Sequence, residues 1–466
     1  MNKKALLVSL PVVAVVVAGG WLVVGHMAQS RLDDTLAQLK AGLPAGSSLT
    51  WKTAEASATG QVHLTGVQFV SAGRAPVTAD DITFSGAGKS AQDVVSFSHL
   101  DMSGLKGGAP GRCSVSVARV SGSDLVFDIP ALRAYGDALS EAFATGRIGN
   151  ASGITSGKTR IGHADFSDTH LDCGIVVGMK SASVSGVSAA GTNVLEIPQG
   201  LTGTILTTGS ADHTLPTMKV ILSIGAVKTT SEKGTSHSSV GQSDITIADP
   251  SGAPVLARIP LGTIEAGSVM RSEGVYDSEG TLQGLTIGDS LTKSIFPLLA
   301  NAGYKDIVLD IKAKGMSDYP AGTMDITPAD YILHGMGTLR VNLTLTGVRN
   351  PATPGSVDPS RDMKLKQMIL TWTDDGLTGK LLKAVAAQHG TTEADMRAQV
   401  AKVLTSMGGP AAQVAPYFSD ASKKSMTVSM QPKEPVPLSQ IDQGLRMGAV
   451  GAALLLPALN VTASVP

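Results

Sequence analysis

The chain has 466 residues, with 37 Lys and Arg against 38 Asp and Glu and a formal net charge of −1 at pH 7. No long block of either sign occurs, so the concentrated basic surface that a phosphate backbone demands is missing, which excludes nucleic acid as a partner. Charged residues make up 16% and aromatics 4%, beside 53 glycines and many Ser and Thr. The hydrophobic share is 42%. This is the composition of strands joined by tight turns, with enough apolar surface to fold.

Asn2, Lys3 and Lys4 precede an uncharged run from Ala5 to Gly25, and the next charge is Arg31. A bilayer's hydrocarbon core needs about 20 apolar residues in a helix. Leu6, Leu7, Val12, Val13, Val15, Val16, Val17, Trp21 and Leu22 supply that surface. The positive-inside bias keeps the N-terminus cytoplasmic and exports the rest of the chain. The spacing therefore predicts a membrane anchor over residues 1–28. A cleavable signal peptide ending near Ala18-Gly19-Gly20 is the rival, against which Trp21 to Val24 prolong the apolar run. Both export the body.

Residues 29–45 carry Leu32, Leu36 and Leu39 at helical spacing before Gly42 and Pro44, a juxtamembrane helix. From Thr50 the periodicity alternates. Val62, Leu64, Val67 and Phe69 are interleaved with polar residues, with a phase slip at Gly66. Apolar-[Ser/Thr]-Gly recurs at Gly66, Gly86, Gly104, Gly122 and later Gly186, the first four separated by 20, 18 and 18 residues. Such spacing suits two strands and two turns, with a bulge or bend at the same place in successive layers. A helical excursion is expected over 130–146, from Pro130 through Leu132, Tyr135, Leu139 and Phe143 to Gly146. Cys113 and Cys173 flank it. In an exported chain an even pair suggests a disulfide, here a staple at the base of the excursion, the alternative being two unpaired thiols.

Strands are expected at Val220–Ile224 and Asp244–Ile247, a short helix over Leu291–Ala302, and strands at Ile307–Ile311 and Leu339–Leu345. Three prolines and no apolar pattern make 348–362 a linker, which closes a strand-rich body over 46–347. The part from 363 to 466 reads as α+β. A strand over Lys364–Trp372 ends at Asp374-Asp375, residues able to cap a helix. A helical face comes next at Leu377, Leu381, Leu382 and Val385. Thr392 and Asp395 approximate a capping box for a second helix that stops at Gly408-Gly409-Pro410. A strand at Met426–Met430, a short helix at Ile441–Met447 and a strand at Leu459–Val465 complete it.

Two stretches carry potential chemistry. Ile287-Gly288-Asp289-Ser290-Leu291 resembles the first block of the GDSL hydrolases, which implies Ser290 as nucleophile with Asp330 and His334 as the downstream pair. That family carries an Asp-x-x-His, one residue shorter than Asp330 to His334, and the bland reading is a helix cap at Asp289 or Ser290. His163, Asp165, Asp168, His170, Asp172 and Cys173 form the densest group of metal-ligating types, against which stands a solvated turn. Phosphate-cradling glycine loops are absent. The reading assigns no catalytic residue, metal or cofactor, and no enzymatic activity.

With an N-terminal single-pass anchor, repeated strands such as Val62–Phe69 and Leu100–Leu105 and no catalytic core, the layout resembles the AsmA-like group of bacterial envelope proteins. The resemblance implies a mainly β fold, an elongated, curved antiparallel sheet behind the anchor, placed in the periplasm and held at the inner membrane. It further implies an apolar groove that binds or conveys lipid, for which Val62, Leu64, Leu100, Met102 and Val120 are the candidate lining. The alternative is an envelope scaffold that binds other proteins and takes no small ligand.

Overall fold

A computed structural model describes residues 29–41, 46–70, 75–86, 88–91, 94–109, 113–128, 159–173, 175–188, 193–207, 217–250, 255–350 and 362–466. The expected anchor and the excursion at 130–146 lie outside them. Among the described residues no helix is long and apolar enough to cross a membrane. The chain is strand-rich, every registered strand pair is antiparallel, and it divides into two compact units between Leu256 and Ala257.

The first unit opens with helix α1 (Gln29–Ala41), whose Leu32 and Leu36 are buried as their spacing requires. Strands β1 (Ser48–Thr50) and β2 (Thr53–Ala56) both pair with β3 (Val62–Val70). The meander continues through β4 (Val77–Ser85), the short β5 (Gly88–Ala91), β6 (Val94–Ala109), β7 (Cys113–Asp128), β8 (Arg160–Asp172) and β9 (Ile175–Val187). Beyond β9 lie β10 (Asn193–Ile197) and β11 (Leu201–Thr207), which pair with it one after the other as a single interrupted strand. Strands β12 (Met218–Ile224) and β13 (Val227–Glu232) repeat the arrangement, and β14 (Thr235–Ala248) pairs with both.

The recurring glycines mark two lines of backbone irregularity across this sheet. Gly66, Asp80, Gly104, Ala118, Asp168 and Lys180 lie between paired neighbours on six successive strands, β3, β4, β6, β7, β8 and β9. On every second strand the residue is left-handed: φ is 55° at Gly66, 65° at Gly104 and 40° at Asp168. A Cβ on Gly104 would stand 1.9 Å from the Asp80 carboxylate, so only glycine fits there. The second line contains Gly86, Asp124 and Gly186, again left-handed. At each line the inward-facing positions step by three instead of two: Leu64 to Val67, Ala79 to Ile82, Met102 to Leu105 and Val117 to Val120 at the first. Phe97 to Leu100 and Ile161 to Ala164 make the same step at the second. A left-handed residue rotates the strand, and the extra residue returns the apolar side chain to the core face. The slip read at Gly66 is one instance.

This corrects the expected repeat. The period of 18–20 residues is one long strand with its connection, β6 and β7 having 16 residues each, and not a strand pair. Two lines replace one bend, and in β7 Asp124 takes the left-handed position, not Gly122. The cysteines do form a disulfide, Cys113 to Cys173. They join the start of β7 to the end of β8, whereas the excursion connects the opposite ends of those strands. At about 3.3 Å per residue the staple is roughly 50 Å from the base it was expected to hold.

The second unit is a meander of β15 (Val255–Ser272), β16 (Val275–Ile287), β17 (Ile307–Asp318), β18 (Thr323–Leu333), β19 (Gly337–Thr346), β20 (Lys364–Asp374) and β21 (Ser425–Met430). Strand β22 (Val436–Pro437) pairs with β20 and β23 (Val461–Ser464) with β21. The expected linker at 348–362 joins two neighbouring strands, since β19 and β20 pair from Gly337↔Asp374 to Thr346↔Lys364. Residues 351–361 lie outside the described ones. Val348 is buried and Arg349 ion-pairs with Asp362 at 2.5 Å.

Helices cover both ends of this sheet. At one end α2 (Asp289–Ile295) and α3 (Pro297–Asn301) replace the single helix expected over 291–302, broken at Phe296 because Pro297 cannot continue it. Around Tyr304, Ile307 and Met336, Leu299 of α3 packs in one cluster with Leu377 of α4 (Leu377–Gln388). Helix α5 (Glu393–Met407) starts as predicted, Thr392 Oγ1 accepting the Asp395 amide at 3.1 Å. Two helices were not foreseen. Gly408-Gly409-Pro410 ends α5 but also starts α6 (Gly409–Ser419), with Pro410 in its first turn. After α7 (Leu438–Arg446) comes α8 (Gly448–Leu459), an uncharged segment whose Leu455 and Leu459 join Leu345 and Leu365 in the core at the other end.

Candidate functional site

The five proposed groove residues do share one face. Leu64, Ile82, Met102, Val120, Phe166 and Ala182 form one cross-strand row, and Val62, Phe84 and Leu100 lie in the next. All five are closed off, however: Val62 is 2% exposed, Leu64 5%, Leu100 2%, Met102 1% and Val120 4%. They are packed core positions in this structure and line no open surface.

The opposite face of the same strands is polar and half-exposed. One row runs Thr65, Asp81, Ser103, Arg119, Ser167, Ser181, and the next runs His63, Thr83, Asp101, Ser121, Asp165, Ser183. Charges there are matched locally. His63 meets Asp81 at 3.1 Å, Arg119 forks onto Asp101, and Lys180 meets Asp168 at 2.8 Å. Lys180 holds the Asp168 carboxyl below the usual carboxylate range.

Several of the metal-ligating types at 163–173 are engaged one with another or with a neighbouring strand. His163 pairs with Asp165 at 2.9 Å, Asp168 with Lys180, and Cys173 with Cys113. Among the described residues no group of three or more His, Cys, Asp or Glu could hold a metal ion.

The hydrolase-like residues are not brought together as a relay. Ser290 is exposed in the first turn of α2, with Gly288 rather than Asp289 or Ser290 at the cap position. Asp289 ion-pairs with Lys293 at 2.6 Å, and the buried hydroxyl of the segment is that of Thr292, donating to the Ile287 carbonyl at 3.2 Å. Asp330 is gripped by Arg340 at 2.7 Å, and His334 meets Asp310 at 2.9 Å. Four residues along a strand span about 13 Å, so Asp330 and His334 reach different partners. The Gly284 amide and then His334 hold the Asp310 carboxyl below its ordinary range.

A partly buried polar chain in the second unit was missed by sequence reasoning. Trp372 Nε1, which only donates, reaches the Tyr417 hydroxyl at 3.1 Å. The Thr378 hydroxyl gives its proton to Asp374 Oδ1 at 3.2 Å, so the 2.6 Å contact between Tyr417 and Thr378 has Tyr417 as donor. Asp374 also accepts the Thr378 amide at 3.0 Å. Proton direction is thus fixed from β20 through α6 to α4 and back to β20. Burial pushes the Tyr417 hydroxyl up, against the pull of Thr378. The available signal was scarcity: in a chain with 3 Trp and 6 Tyr, a buried aromatic with a polar tip needs a partner. At 2% exposure Tyr417 is sealed from solvent, so the chain ties α4 and α6 to the sheet.

A family model described only as an uncharacterised protein matches residues 330–465, from the middle of β18 through β23. No curated protein matches the chain.

Proposed function

We propose that the protein is a membrane-tethered scaffold of a bacterial envelope, a non-enzymatic module that holds other proteins and takes no small ligand. The observation that carries this choice is the closure of the apolar face, whose five candidate groove positions are 1–5% exposed. A face so packed is core, and the surface left for partners is the registered Ser, Thr and charged face. The N-terminal uncharged run supports the tether and the export, and the disulfide fits an oxidising compartment. The AsmA-like layout supports the envelope setting.

A second reading, lipid carriage, keeps one support: one apolar row, from Leu64 to Ala182, runs unbroken over six strands, as a lipid-bearing surface would require if it opened. Thiol accessibility separates the two. With the native cysteines paired, a Met102→Cys substitution gives the described residues one free thiol. Under the scaffold reading it stays unreactive to maleimide in the native protein and no phospholipid accompanies the purified chain. Rapid labelling that added phospholipid slows would replace that reading with lipid carriage. A phosphatase fused after Pro466, active only beyond the membrane, tests the export independently.

A further inference from the structure

Four of the five histidines described in the first unit, His63, His99, His163 and His237, lie in rows of its polar face. The row of His63 and Asp101 continues beyond Ser183 to Glu196 of β10 and Lys228 of β13, and at its other end reaches Glu55 of β2. A third row beside it runs Ser85, His99, Ser123, His163, Ser185, Val194, Thr230, His237.

The carboxylates of this face are matched in two ways. Asp101 and Glu196 meet Arg119 and Lys228, which stay charged. The ionisable partners of Asp81 and Asp165 are instead His63 and His163, at 3.1 and 2.9 Å. A neutral imidazole makes such a contact by donating its one N–H, which leaves the carboxylate charge uncompensated. The groups around the rows cancel: Glu55, Asp80, Asp124, Asp168 and Glu232 stand against Lys52, Lys106, Arg160, Lys180 and Lys233. Beyond them His170 shares the face with Asp172. Histidine changes charge between about pH 5 and 8. Acid therefore adds up to four positive charges to rows whose surplus is the two carboxylates of Asp81 and Asp165. The sign of the face reverses.

We propose that this face is a pH-gated docking surface, which holds a cationic protein segment at neutral pH and releases it in acid. The occupant is cationic because the charges left uncompensated at neutral pH are carboxylates, and complementary charge steers and selects partners at polar interfaces. The proposal rests on the scaffold reading, in which this face meets partners, and adds the charge of the partner and the condition of its release.

The full chain in uncharged detergent, titrated with a fluorescent decalysine peptide, tests it. The native protein should bind the peptide at about pH 7.5 and about tenfold more weakly at about pH 5.5. His63→Gln, His99→Gln, His163→Gln and His237→Gln together should keep the neutral affinity and abolish the difference. Asp81→Asn with Asp165→Asn should weaken neutral binding towards the acid level. Circular dichroism reports folding, and His99→Gln with His237→Gln, at two exposed positions, is the milder variant that should remove part of the difference. Equal affinity at both pH values, a difference that the histidine variants leave intact, or neutral binding indifferent to the two Asn substitutions overturns the proposal. The thiol experiment at Met102 is independent: rapid labelling there removes the scaffold reading and leaves the change of sign untouched.

Discussion

Along the two lines of the first unit a strand and its neighbour lose phase together, whereas in the second unit one strand takes an extra residue against its partner. Across the first line, Asp81↔Ser103 gives way to Thr78↔Lys106 with an equal number of residues between them on both strands. In the second unit Gln283 and Gly284 oppose Asp310 alone, and Thr327 and Pro328 oppose Asn342 alone. Both devices keep an apolar face on strands far longer than the usual five or six residues. Their demands differ. Paired slips require a left-handed residue on every second strand, which restricts those positions to Gly or Asp. A one-sided bulge makes its demand on one strand only, a left-handed Gly284 (φ 83°) at one bulge and no positive φ at Thr327–Pro328 in the other, and at the first it frees a backbone group. The Gly284 amide, so freed, is taken by the Asp310 carboxylate at 2.8 Å.

Removing the staple should separate the two units most. The Cys113–Cys173 bridge lies 60 residues apart in sequence, and replacing both cysteines by serine should lower the stability of the first unit by about 4 kcal/mol. Hydrogen exchange resolved by segment should show faster exchange in β6 to β9 and none in β16 to β20.

Backbone geometry comes next. At Gly200 φ is 69° and a Cβ would meet the Ile224 carbonyl oxygen at 1.9 Å, so Gly200→Ala should cost about 3 kcal/mol. Gly303 in the second unit has φ 90° and nothing within 4 Å. There Gly303→Ala should cost only about 1 kcal/mol, the conformational part alone. Equal losses in thermal unfolding would show that the crowding at Gly200 is relieved by backbone movement.

Within the second unit, Tyr417→Phe leaves the Trp372 N–H without an acceptor and should destabilise by about 2 kcal/mol, read from urea unfolding. Thr392→Ala removes the cap of α5 and should cost about 1 kcal/mol by the same measurement.

The smallest expected effect is in acid. Because the Gly284 amide and His334 depress the Asp310 carboxyl, its contribution is present above the unfolded carboxylate value of about 3.9 and is lost as pH falls through the lower folded value. Asp310→Asn should therefore flatten the acid limb of a stability profile and leave the first unit's limb in place. An unchanged limb would remove Asp310 from the account.

Local signals in the sequence were reliable where a short-range cause sufficed. The Thr392 cap, α4, and the buried pair Leu32 and Leu36 of α1 result from spacing within a single helix. Strand alternation located β12, β14, β17, β19 and β20, and the slip at Gly66 was visible because the inward residues changed parity. The tripeptide repeat was visible too, but not its meaning, since strand length is set by pairing with neighbours and not by the tripeptide. Helices α6 and α8 escaped because Gly408-Gly409-Pro410 can both end and begin a helix, and an uncharged stretch such as 448–459 has no polar face to give a period. Of the candidate site, the five apolar positions were correctly placed on one face. Whether that face lay open could not be read from alternation, which is identical for a groove and for a core.

Residue order alone established a strand-rich chain with helices near its C-terminal end, the residues of each strand that turn inward, and the places where helices are capped. These depend on periodicity and on contacts a few residues apart. It was left to the tertiary structure to close the apolar face, to bring His334 to Asp310 and not to Asp330, to set the disulfide at the far end of its hairpin, and to let Gln29 close the edge of β2. The first three join residues brought together by strand register, an outcome of the whole sheet's pairing, and the last depends on how α1 seats against β2.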